Sequence, residues 1–264
     1  MALAILTAVA MTAGIAAIGQ ADASDQAAAG APAPVIGFDV YRKGERIGRH
    51  EIAFERSGDG LRVTVDIDLS VSFLFFTAYS YRHRVETLWR EGRLVELFAT
   101  TDDDGREQDV RAEAVQQGLE VTPAAGEPYL APATALPTTY WHPVTPQADA
   151  LLNTQTGELM EVSVRLVEEG VMRRTPWGEV KVDEYLVDGP RDWSLWYDEA
   201  GCLAGIGFST ERGTPIEYRL TDFPQPQAHA WLADTAALSR YTACAVGDAG
   251  TGAQASASLE EGAK

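Results

Sequence analysis

Four histidines carry the side chains best suited to acid/base chemistry near neutral pH, and they form no established catalytic motif. The sequence contains neither a Gly-x-Ser-x-Gly nucleophile elbow nor a His-Glu-x-x-His metal signature. His50, His83 and His229 fall in strand or helix patterns, whereas His142 lies in a proline-rich loop that can expose its ring. His142 is therefore the candidate general base of a hydrolase; the alternative is an imidazole that hydrogen-bonds a backbone carbonyl. No catalytic residue can be assigned, and we expect a protein that is not an enzyme.

A cluster of carboxylates at residues 102–109 offers the hard oxygen ligands that Ca²⁺ prefers. Its spacing does not fit a calcium loop, because the EF-hand requires a glycine at the sixth position and a bidentate glutamate at the twelfth. Asp104 and Gly105 instead have the residue types of a tight hairpin turn. We therefore expect a solvated turn here, no metal site and no cofactor.

Arg82 and Arg84 flank His83 in a segment whose polarity alternates. A strand places residues i and i+2 on one face, so both arginines point away from the face of Tyr81 and His83. We expect them to pair with acidic side chains on neighbouring strands. The alternative is that they bind an anionic head group at the mouth of a cavity.

Aromatic side chains are the remaining chemical feature of the sequence. A strongly curved sheet can use them to fill its own interior or to line a pocket for an acyl chain, and the pattern leaves both uses open. An apolar link without a turn signal (residues 73–78) and a proline-rich loop that can cap a sheet end favour the pocket. The candidate ligand-binding residues are Phe75, Phe76, Tyr79, Tyr81, Trp141 and His142.

The elements that must position these residues are strands, because the dominant signal is an alternation of period two. From Leu61 to Phe73 every second residue is apolar, which places one face against a core. Glycine turns such as Lys43-Gly44 and Glu91-Gly92 separate the strands, and short hairpins join antiparallel neighbours. The sequence therefore predicts a mainly β fold: a single antiparallel meander of ten or more strands, forming a strongly curved sheet or an incomplete barrel.

Irregular segments interrupt this pattern. Alternation from Met160 to Leu166 predicts one strand, and a slip of parity near Asp183 and Glu184 predicts a β-bulge. The 73–78 link is predicted to be a buried short helix, a sharp corner or an exposed apolar segment. Four prolines between residues 131 and 153 should prevent regular strand pairing, which predicts a capping loop.

The two ends of the chain differ in composition from its middle. Residues 1–18 carry no charge and Ala21-Asp22-Ala23 resembles a cleavage site, which predicts a signal peptide. No Lys or Arg precedes the apolar run, so an uncleaved membrane anchor is the alternative. We expect five segments: a signal peptide (1–23), a disordered Ala/Pro spacer (24–34), an antiparallel β domain (35–223), an extension with a short helix (224–246) and a disordered tail (247–264).

Charge and cysteine content restrict the partners and the compartment. The formal net charge of −18 repels phosphate backbones, so we expect no nucleic-acid partner. Export to the periplasm would place Cys202 and Cys244 in an oxidising compartment, where a disulfide could form. The weakly apolar segment around Cys244 argues against that bridge. The sequence does not specify the oligomeric state.

From Gly37 to Leu220 the chain resembles an uncharacterised family of exported proteobacterial β-rich domains. The resemblance depends on short motifs: Phe38–Tyr41 with Ile47-Gly48, the 73–78 link followed by Tyr81–Glu86, Leu136–Pro143, Leu152–Gly157 and Leu195–Asp198. In architecture it is also similar to the half-barrel lipoprotein carriers of the bacterial envelope, which hold acyl chains on a concave face. The family has no established activity, so the resemblance implies no catalytic residue.

Together these observations favour a periplasmic binding or carrier protein, with a hydrophobic small molecule or lipid as its ligand. The alternative function is a structural or assembly factor of the cell envelope. Such a factor would contact a protein partner through a sheet edge or through the predicted helix around Trp231.

Overall fold

The computed structural model of the chain describes residues 35–73, 76–189, 192–210 and 212–222. Four predicted segments lie outside these residues: the signal peptide (1–23), the spacer (24–34), the extension with its short helix (224–246) and the tail (247–264). The described residues are mainly β, as predicted. None of them forms a helix long and apolar enough to cross a membrane.

Sixteen strands occur in the described part of the chain. They are β1 (Val35–Arg42), β2 (Glu45–Ser57), β3 (Gly60–Phe73), β4 (Phe76–Arg90), β5 (Arg93–Asp103), β6 (Arg106–Val115), β7 (Gly118–Thr122), β8 (Tyr129–Ala131), β9 (Leu136–Pro137), β10 (Ala150–Leu152), β11 (Leu159–Glu161), β12 (Ser163–Thr175), β13 (Gly178–Asp188), β14 (Trp193–Asp198), β15 (Leu203–Ser209) and β16 (Pro215–Asp222). One 3₁₀ turn, Thr145–Gln147, lies between β9 and β10.

Thirteen of these strands form one antiparallel sheet, in the order β12-β13-β14-β15-β16-β1-β2-β3-β4-β5-β6-β7-β8. The sheet consists of two meanders, β1–β8 and β12–β16, and the pairing of β16 with β1 joins them. It differs in this respect from the predicted single meander, because the first and last described strands are central neighbours. The free edges are β8 and β12, and the sheet is not closed.

The open sheet curls around its own core. Trp141 packs against Trp89 on β4, with ring centroids 5.2 Å apart. The carbonyl of Tyr140 accepts a 2.7 Å hydrogen bond from the hydroxyl of Tyr197 on β14. Six strand-to-strand steps separate β14 from β4, which would be roughly 30 Å in a flat sheet. Tyr140 and Trp141 are consecutive residues, yet the first contacts β14 and the second contacts β4. The sheet must therefore bend around them, which agrees with the predicted curvature.

The inward face of the sheet follows the predicted alternation. Ile36, Phe38 and Val40 on β1 are fully buried. Lys43 and Gly44, in the following turn, have φ values of 52° and 83°. Positive φ at both central residues matches the twist of the flanking strands, so glycine suits the second position. The turn signals therefore mark real hairpins.

The segment from Met160 to Leu166 is not the single strand that its alternation predicts. Met160 belongs to β11, in a second sheet of three strands, whereas Leu166 belongs to β12 of the large sheet and is 44% exposed. The period of two therefore continues through two strands with different neighbours. A local pattern does not record which sheet each strand joins.

A β-bulge occurs at the predicted position near Asp183 and Glu184 of β13, but the extra residues lie on the neighbouring strand, β12. The register between β12 and β13 shifts there, and the extra residues belong to β12 around Val167 and Gly170. Gly170 has a φ of 70°, and its N–H donates a 2.9 Å hydrogen bond to the Asp183 carboxylate. The parity slip in β13 thus reflects the irregularity of its neighbour.

Residues 132–161, here called the inner segment, pack against the concave face of the sheet and contain β9, β10 and β11. The prediction that prolines would prevent strand pairing here is wrong. Pro137 pairs with Leu152 in a parallel bridge. The pairing succeeds because the N–H of Thr138, the next residue, donates the 3.0 Å hydrogen bond to the Leu152 carbonyl.

The strands on either side of the 73–78 link are antiparallel neighbours. Strand β3 reaches Phe73, strand β4 begins at Phe76, and these two residues pair with each other. The strand bounds exclude the predicted buried short helix, and the other two alternatives stay predictions because residues 74–75 lie outside the described residues.

Candidate functional site

The curled sheet has two ends that differ in how they are covered. The turns at residues 58–59 and 91–92 lie at one end, which we call the closed end because the inner segment packs into it. The turns at residues 43–44 and 104–105 lie at the opposite end, which we call the open end. The alternate placement follows from the antiparallel connectivity of the meander.

Aromatic rings fill the closed end. Trp141 of the inner segment packs edge to face on Phe54 and Trp89, with ring centroids 5.3 Å and 5.2 Å away. His142 stacks on Trp89 at 4.9 Å. The indole N–H of Trp89 donates a 2.8 Å hydrogen bond to the Thr87 hydroxyl. All of these side chains are buried, so the closed end is a packed core.

His142 is buried, and the prediction that the loop exposes it is wrong. The inner segment folds into the sheet and so carries His142 into the core. Its Nδ1 lies 3.4 Å from the backbone N–H of Val144, which donates to it. Burial lowers the pKa of His142 to about 4. The ring is neutral near pH 7 and inaccessible to a substrate, which removes the geometric argument for acid/base catalysis here.

One inward-facing row of residues separates the two ends. In register across β16, β1, β2, β3, β4 and β5, it contains Leu220, Phe38, His50, Ile67, His83 and Thr101. Toward the closed end the next row is entirely apolar and buried: Ile36, Ile52, Val65, Val85 and Ala99. We call the row that contains His50, His83 and Thr101 the polar row. Toward the open end one further row follows in register: Tyr218, Val40, Gly48, Leu69, Tyr81 and Asp103.

His83 connects the inner segment to the polar row through a side-chain hydrogen bond. Its Nδ1 lies 2.8 Å from the Thr101 hydroxyl on β5, and its Nε2 lies 2.9 Å from the Thr154 hydroxyl of the inner segment. Burial lowers the pKa of His83 to about 4, and a hydrogen bond with the Thr100 backbone opposes that shift. A neutral imidazole has one donor and one acceptor, so both nitrogens can be satisfied by hydroxyl groups.

His50, in the same row, has no such partners. Both of its ring nitrogens are buried without a hydrogen-bond partner in the described part of the chain. The ring packs edge to face on Tyr218, with centroids 5.5 Å apart. Burial, and secondarily the nearby His83, lower the pKa of His50 to about 3. His50 therefore occupies an apolar position as a neutral ring.

A pocket of about 730 Å³ lies at the open end. It is bounded by β1–β5, by β15, β16 and the turn between them, and by Gln155 of the inner segment. Its lining is largely apolar and aromatic, with a few charged side chains: Arg42, Ile47, Ile67, Leu69, Val71, Ala78, Tyr79, Tyr81, Asp103, Gln155, Phe208, Thr210, Arg212, Ile216 and Tyr218. The volume and the mixture of residues are typical of a site for a small ligand.

A second cavity of about 390 Å³ lies beside the open-end pocket. Ile67, Tyr81 and Gln155 line both spaces, and the Tyr81 hydroxyl donates a 3.3 Å hydrogen bond to the Gln155 side chain. The remaining lining of the second cavity is mostly polar and comes from the inner segment, including Thr138 and Asn153. The open end is therefore apolar near its mouth and more polar toward the inner segment.

The predicted ligand-binding residues separate into two groups. Tyr79 and Tyr81 line the open-end pocket. Trp141 and His142 instead belong to the packed closed end. Phe75 lies outside the described residues, and of Phe76 the structure describes only its backbone place at the start of β4.

Thirteen of the fifteen lining residues are not among the predicted ligand-binding residues, and six of these thirteen lie on β1, on β15, on β16 or in the turn between β15 and β16. Ile216 and Tyr218 alternate in the sequence as the inward residues of a strand should. The pairing of β16 with β1 brings them beside the β3 and β4 residues, and no local pattern encodes that pairing. The alternation of Ile36, Phe38 and Val40 along β1 continues to Arg42, so the sequence does carry a signal that Arg42 lies on the inward face.

The outer face of the sheet carries a separate concavity of about 680 Å³, which is lined by charged residues and is here called the outer groove. Arg82 pairs with Asp102 at 2.9 Å, and Arg84 pairs with Asp66 at 2.8 Å. The predicted pairing of these arginines with acids on neighbouring strands is confirmed. Because their charges are already matched, the alternative of head-group capture by Arg82 and Arg84 has no support.

The described residues contain no group of three His, Cys, Asp or Glu side chains arranged to hold a metal ion. Cys202 is buried, and Cys244 lies outside the described residues, so the expectation that the two cysteines do not form a disulfide stays untested.

A family model described as a domain of unknown function, DUF6134, matches residues 38–221. The chain belongs to the DUF6134 family. This agrees with the resemblance to an uncharacterised family of β-rich domains. The match spans both meanders and the inner segment, so the closed end and the open-end pocket are both parts of the DUF6134 domain.

The DUF6134 domain is similar to the crystal structure of a beta-barrel-like protein of the domain of unknown function DUF1849 from Brucella abortus. The TM-score is 0.54 and the sequence identity is 10%, and the match covers 73% of this chain and 97% of that chain. At this identity the likeness concerns the fold alone. No curated protein matches the chain.

Proposed function

We propose that this DUF6134 protein binds or carries an apolar or lipid-like ligand in the open-end pocket. The observation that supports this most directly is a contrast along β3. Its inward residues Leu61, Val63 and Val65 are buried, whereas Ile67 and Leu69 are only half-buried and line the pocket. One strand thus continues its apolar face beyond the part of the core that the described residues cover.

Apolar surface left open to water is unfavourable by about 25 cal/mol for each Å². Large contiguous apolar patches on a soluble domain usually mark a binding site. Here the open surface is concave and lined from several strands, so it suits a compact apolar group better than a flat protein partner. Three tyrosines, Tyr79, Tyr81 and Tyr218, add polar groups beside the apolar wall.

We place this activity in the periplasm, and no catalytic step is part of the proposal. The support for export is the uncharged segment 1–18 followed by Ala21-Asp22-Ala23. Mass spectrometry of the protein isolated from the cell envelope fraction tests it. A mature form that begins after Ala23 is expected, and a protein that stays intact in the cytoplasm would contradict export.

Two measurements test ligand binding. Lipid extraction of the purified protein followed by mass spectrometry should recover a reproducible apolar molecule. Val71→Trp should weaken binding of the apolar fluorophore N-phenyl-1-naphthylamine by about tenfold or more, because the indole occupies the pocket that Val71 lines. Ser70→Trp is the matched control, since Ser70 is the adjacent, exposed residue on the opposite face of β3.

Equal affinities for Val71→Trp, Ser70→Trp and the unmodified protein would show that the fluorophore binds elsewhere. An empty extract together with no binding of the fluorophore would overturn the proposed function.

A second candidate function is an assembly factor of the envelope that contacts a protein through the edge hairpin β12–β13. One observation favours it: Leu166, Val167, Met172 and Trp177 in this hairpin are 44–54% exposed. β12 is also a free edge of the sheet, which can accept a further strand. The predicted helix around Trp231, the other surface considered for this role, lies outside the described residues.

Val167→Lys with Met172→Lys tests this candidate by placing charges on the exposed apolar surface. A specific envelope partner should be lost in co-purification while the thermal stability stays unchanged. Leu130→Lys on the opposite edge strand, β8, is the matched control, because Leu130 is 53% exposed there. Retention of the partner by the β12 variant would exclude the hairpin as its contact.

A further inference from the structure

The inward face of β1 ends with a charged residue. Ile36, Phe38 and Val40 are buried at alternate positions, and Arg42 is the next inward position. Arg42 pairs in register with Ile216 of β16, and both line the open-end pocket. β1 is a central strand, so the arginine does not protect a free edge.

A second arginine reaches the same pocket from the turn between β15 and β16. Arg212 lines the pocket beside Thr210 and Phe208. The inner part of the lining is made by Ile67, Leu69 and other apolar residues, so the two guanidinium groups stand at the charged end of an apolar space.

These two arginines have no carboxylate partner among the described residues, although the chain carries a formal net charge of −18. The outer groove shows the contrast: there Arg49, Arg82 and Arg84 are each paired with at least one acid. Acidic residues are abundant on this protein, yet no acid of the described residues forms an ion pair with Arg42 or Arg212.

The acid that does line the pocket is already engaged. Asp103 accepts a 2.8 Å hydrogen bond from the Tyr79 hydroxyl and forms a 2.9 Å ion pair with Arg106. Its charge is therefore balanced without Arg42 or Arg212. The charged groups among the described lining residues are two arginines and one carboxylate, which is a local excess of positive charge on a strongly acidic protein.

A neutral hydroxyl completes the polar set. Tyr218 lines the pocket, and its hydroxyl makes no hydrogen bond to the residues that the structure describes. Burial raises the pKa of Tyr218, so the phenol keeps its proton and can donate a hydrogen bond to an anionic oxygen.

We infer that the ligand of the open-end pocket is an anionic amphiphile, with its apolar chain along Ile67, Leu69 and Val71 and its acidic head group at Arg42 and Arg212. This inference builds on the proposed function and adds the chemistry of the head group. A carboxylate and a phosphate share that chemistry, because guanidinium groups form charge-assisted hydrogen bonds with both. The acidic surface around the pocket repels anions elsewhere, so binding is confined to this position.

Competition against N-phenyl-1-naphthylamine tests the inference on the full-length protein at pH 8. The three competitors have the same chain and different heads: decanol, decanoate and decyl phosphate. At least one anion should displace the fluorophore at about tenfold lower concentration than decanol, since one charge-assisted contact corresponds to about that factor. The stronger of the two anions identifies the head group as a carboxylate or a phosphate.

The double variant Arg42→Gln with Arg212→Gln should abolish the preference for the anion while decanol still competes as before. Unchanged competition by decanol shows that the variant pocket is folded. Arg93→Gln is the control, because Arg93 is an exposed arginine beside the turn at the closed end. It should retain the full preference.

The outcomes separate the two proposals. If decanol, decanoate and decyl phosphate compete equally, the anionic head group is excluded while the apolar pocket stands. If the preference survives in the double variant, Arg42 and Arg212 do not supply it and the inference is overturned. If the unmodified protein binds neither the fluorophore nor any competitor, the proposed function itself fails.

Discussion

Strands β2, β3 and β4 extend from one end of the curled sheet to the other. Other described residues cover the inward face of these strands at the closed end, whereas the same face lines a pocket at the open end. At the closed end, Phe54 and Trp89 pack against Trp141 of the inner segment. At the open end, Leu69 and Tyr81 on the same sheet face a pocket of about 730 Å³. The inner segment fills the first end, and past the row of His50 and His83 it contributes Gln155 to the wall of the open-end pocket.

The difference shows how a curved sheet can separate stability from binding. Close packing needs partner atoms on all sides, and the inner segment supplies them only at the closed end. Substitutions at the closed end should therefore act on folding, and substitutions at the open end should act on the ligand. Each of the following predictions tests that separation.

The largest effect is expected at the centre of the closed end. Trp89→Ala should lower the free energy of unfolding by about 3–5 kcal/mol, because it removes a buried indole that packs on Trp141 and His142. Tyr79→Ala, at the open end, should lower it by only about 1 kcal/mol, since Tyr79 is 37% exposed. Urea denaturation followed by circular dichroism measures both. Similar losses for the two variants would show that the ends do not differ in packing.

The next effect concerns the two histidines of the polar row. His83→Leu should lower the free energy of unfolding by about 2 kcal/mol, because it leaves the Thr101 and Thr154 hydroxyls without the ring nitrogens they contact. His50→Leu should be neutral or stabilising, because the His50 ring is buried without a hydrogen-bond partner among the described residues. Urea denaturation of the two variants at pH 7.5 gives the comparison.

The variants His83→Leu and His50→Leu also test how far along the sheet the inner segment covers the inward face. His83 contacts the inner segment through Thr154, whereas the ring neighbours of His50, Phe38 and Tyr218, belong to the sheet. A large loss of stability in His50→Leu would mean that its ring has a polar partner in solution, such as a bound ligand. In that case the boundary between the closed and open ends would lie elsewhere.

Much of the fold could be predicted because each hairpin is a local event. Alternation placed Ile36, Phe38 and Val40 on one face, and the Lys43-Gly44 turn fixed the direction of the next strand. The pairing of β16 with β1 could not be predicted, because it joins strands from opposite ends of the domain. The prediction that Met160 and Leu166 share one strand was wrong for a related reason, since alternation does not say which sheet a strand joins.

The site was predicted only in part. Tyr79 and Tyr81 line the pocket because they lie on a strand whose inward face was evident from the sequence. Trp141 and His142 lie instead in the closed end, since a proline-rich loop can fold into a curved sheet as well as over it. Arg42 was missed because its inward position matters only once Arg212 and Ile216 are known to be its neighbours.

The stability of the folded protein should depend on pH below neutrality, because three of its histidines are buried. His50, His83 and His142 are buried, and their pKa values are lowered to about 3, about 4 and about 4. Unfolding returns each pKa to about 6.5. Between pH 4 and pH 6.5 the unfolded chain therefore binds protons that the folded protein does not. The free energy of unfolding should fall as the pH falls, by about 1.4 kcal/mol per pH unit for each histidine.

The His50→Leu variant isolates one of these contributions. Its free energy of unfolding should decrease less steeply than that of the unmodified protein, by about 1 kcal/mol per pH unit on average, when urea denaturation is measured from pH 6.5 to pH 5. Most carboxylates stay ionised in this window, so histidines dominate the slope. Equal slopes would mean that His50 titrates normally and is reached by water. Water at His50 would extend the open end past the polar row, into the part of the sheet that the inner segment is inferred to close.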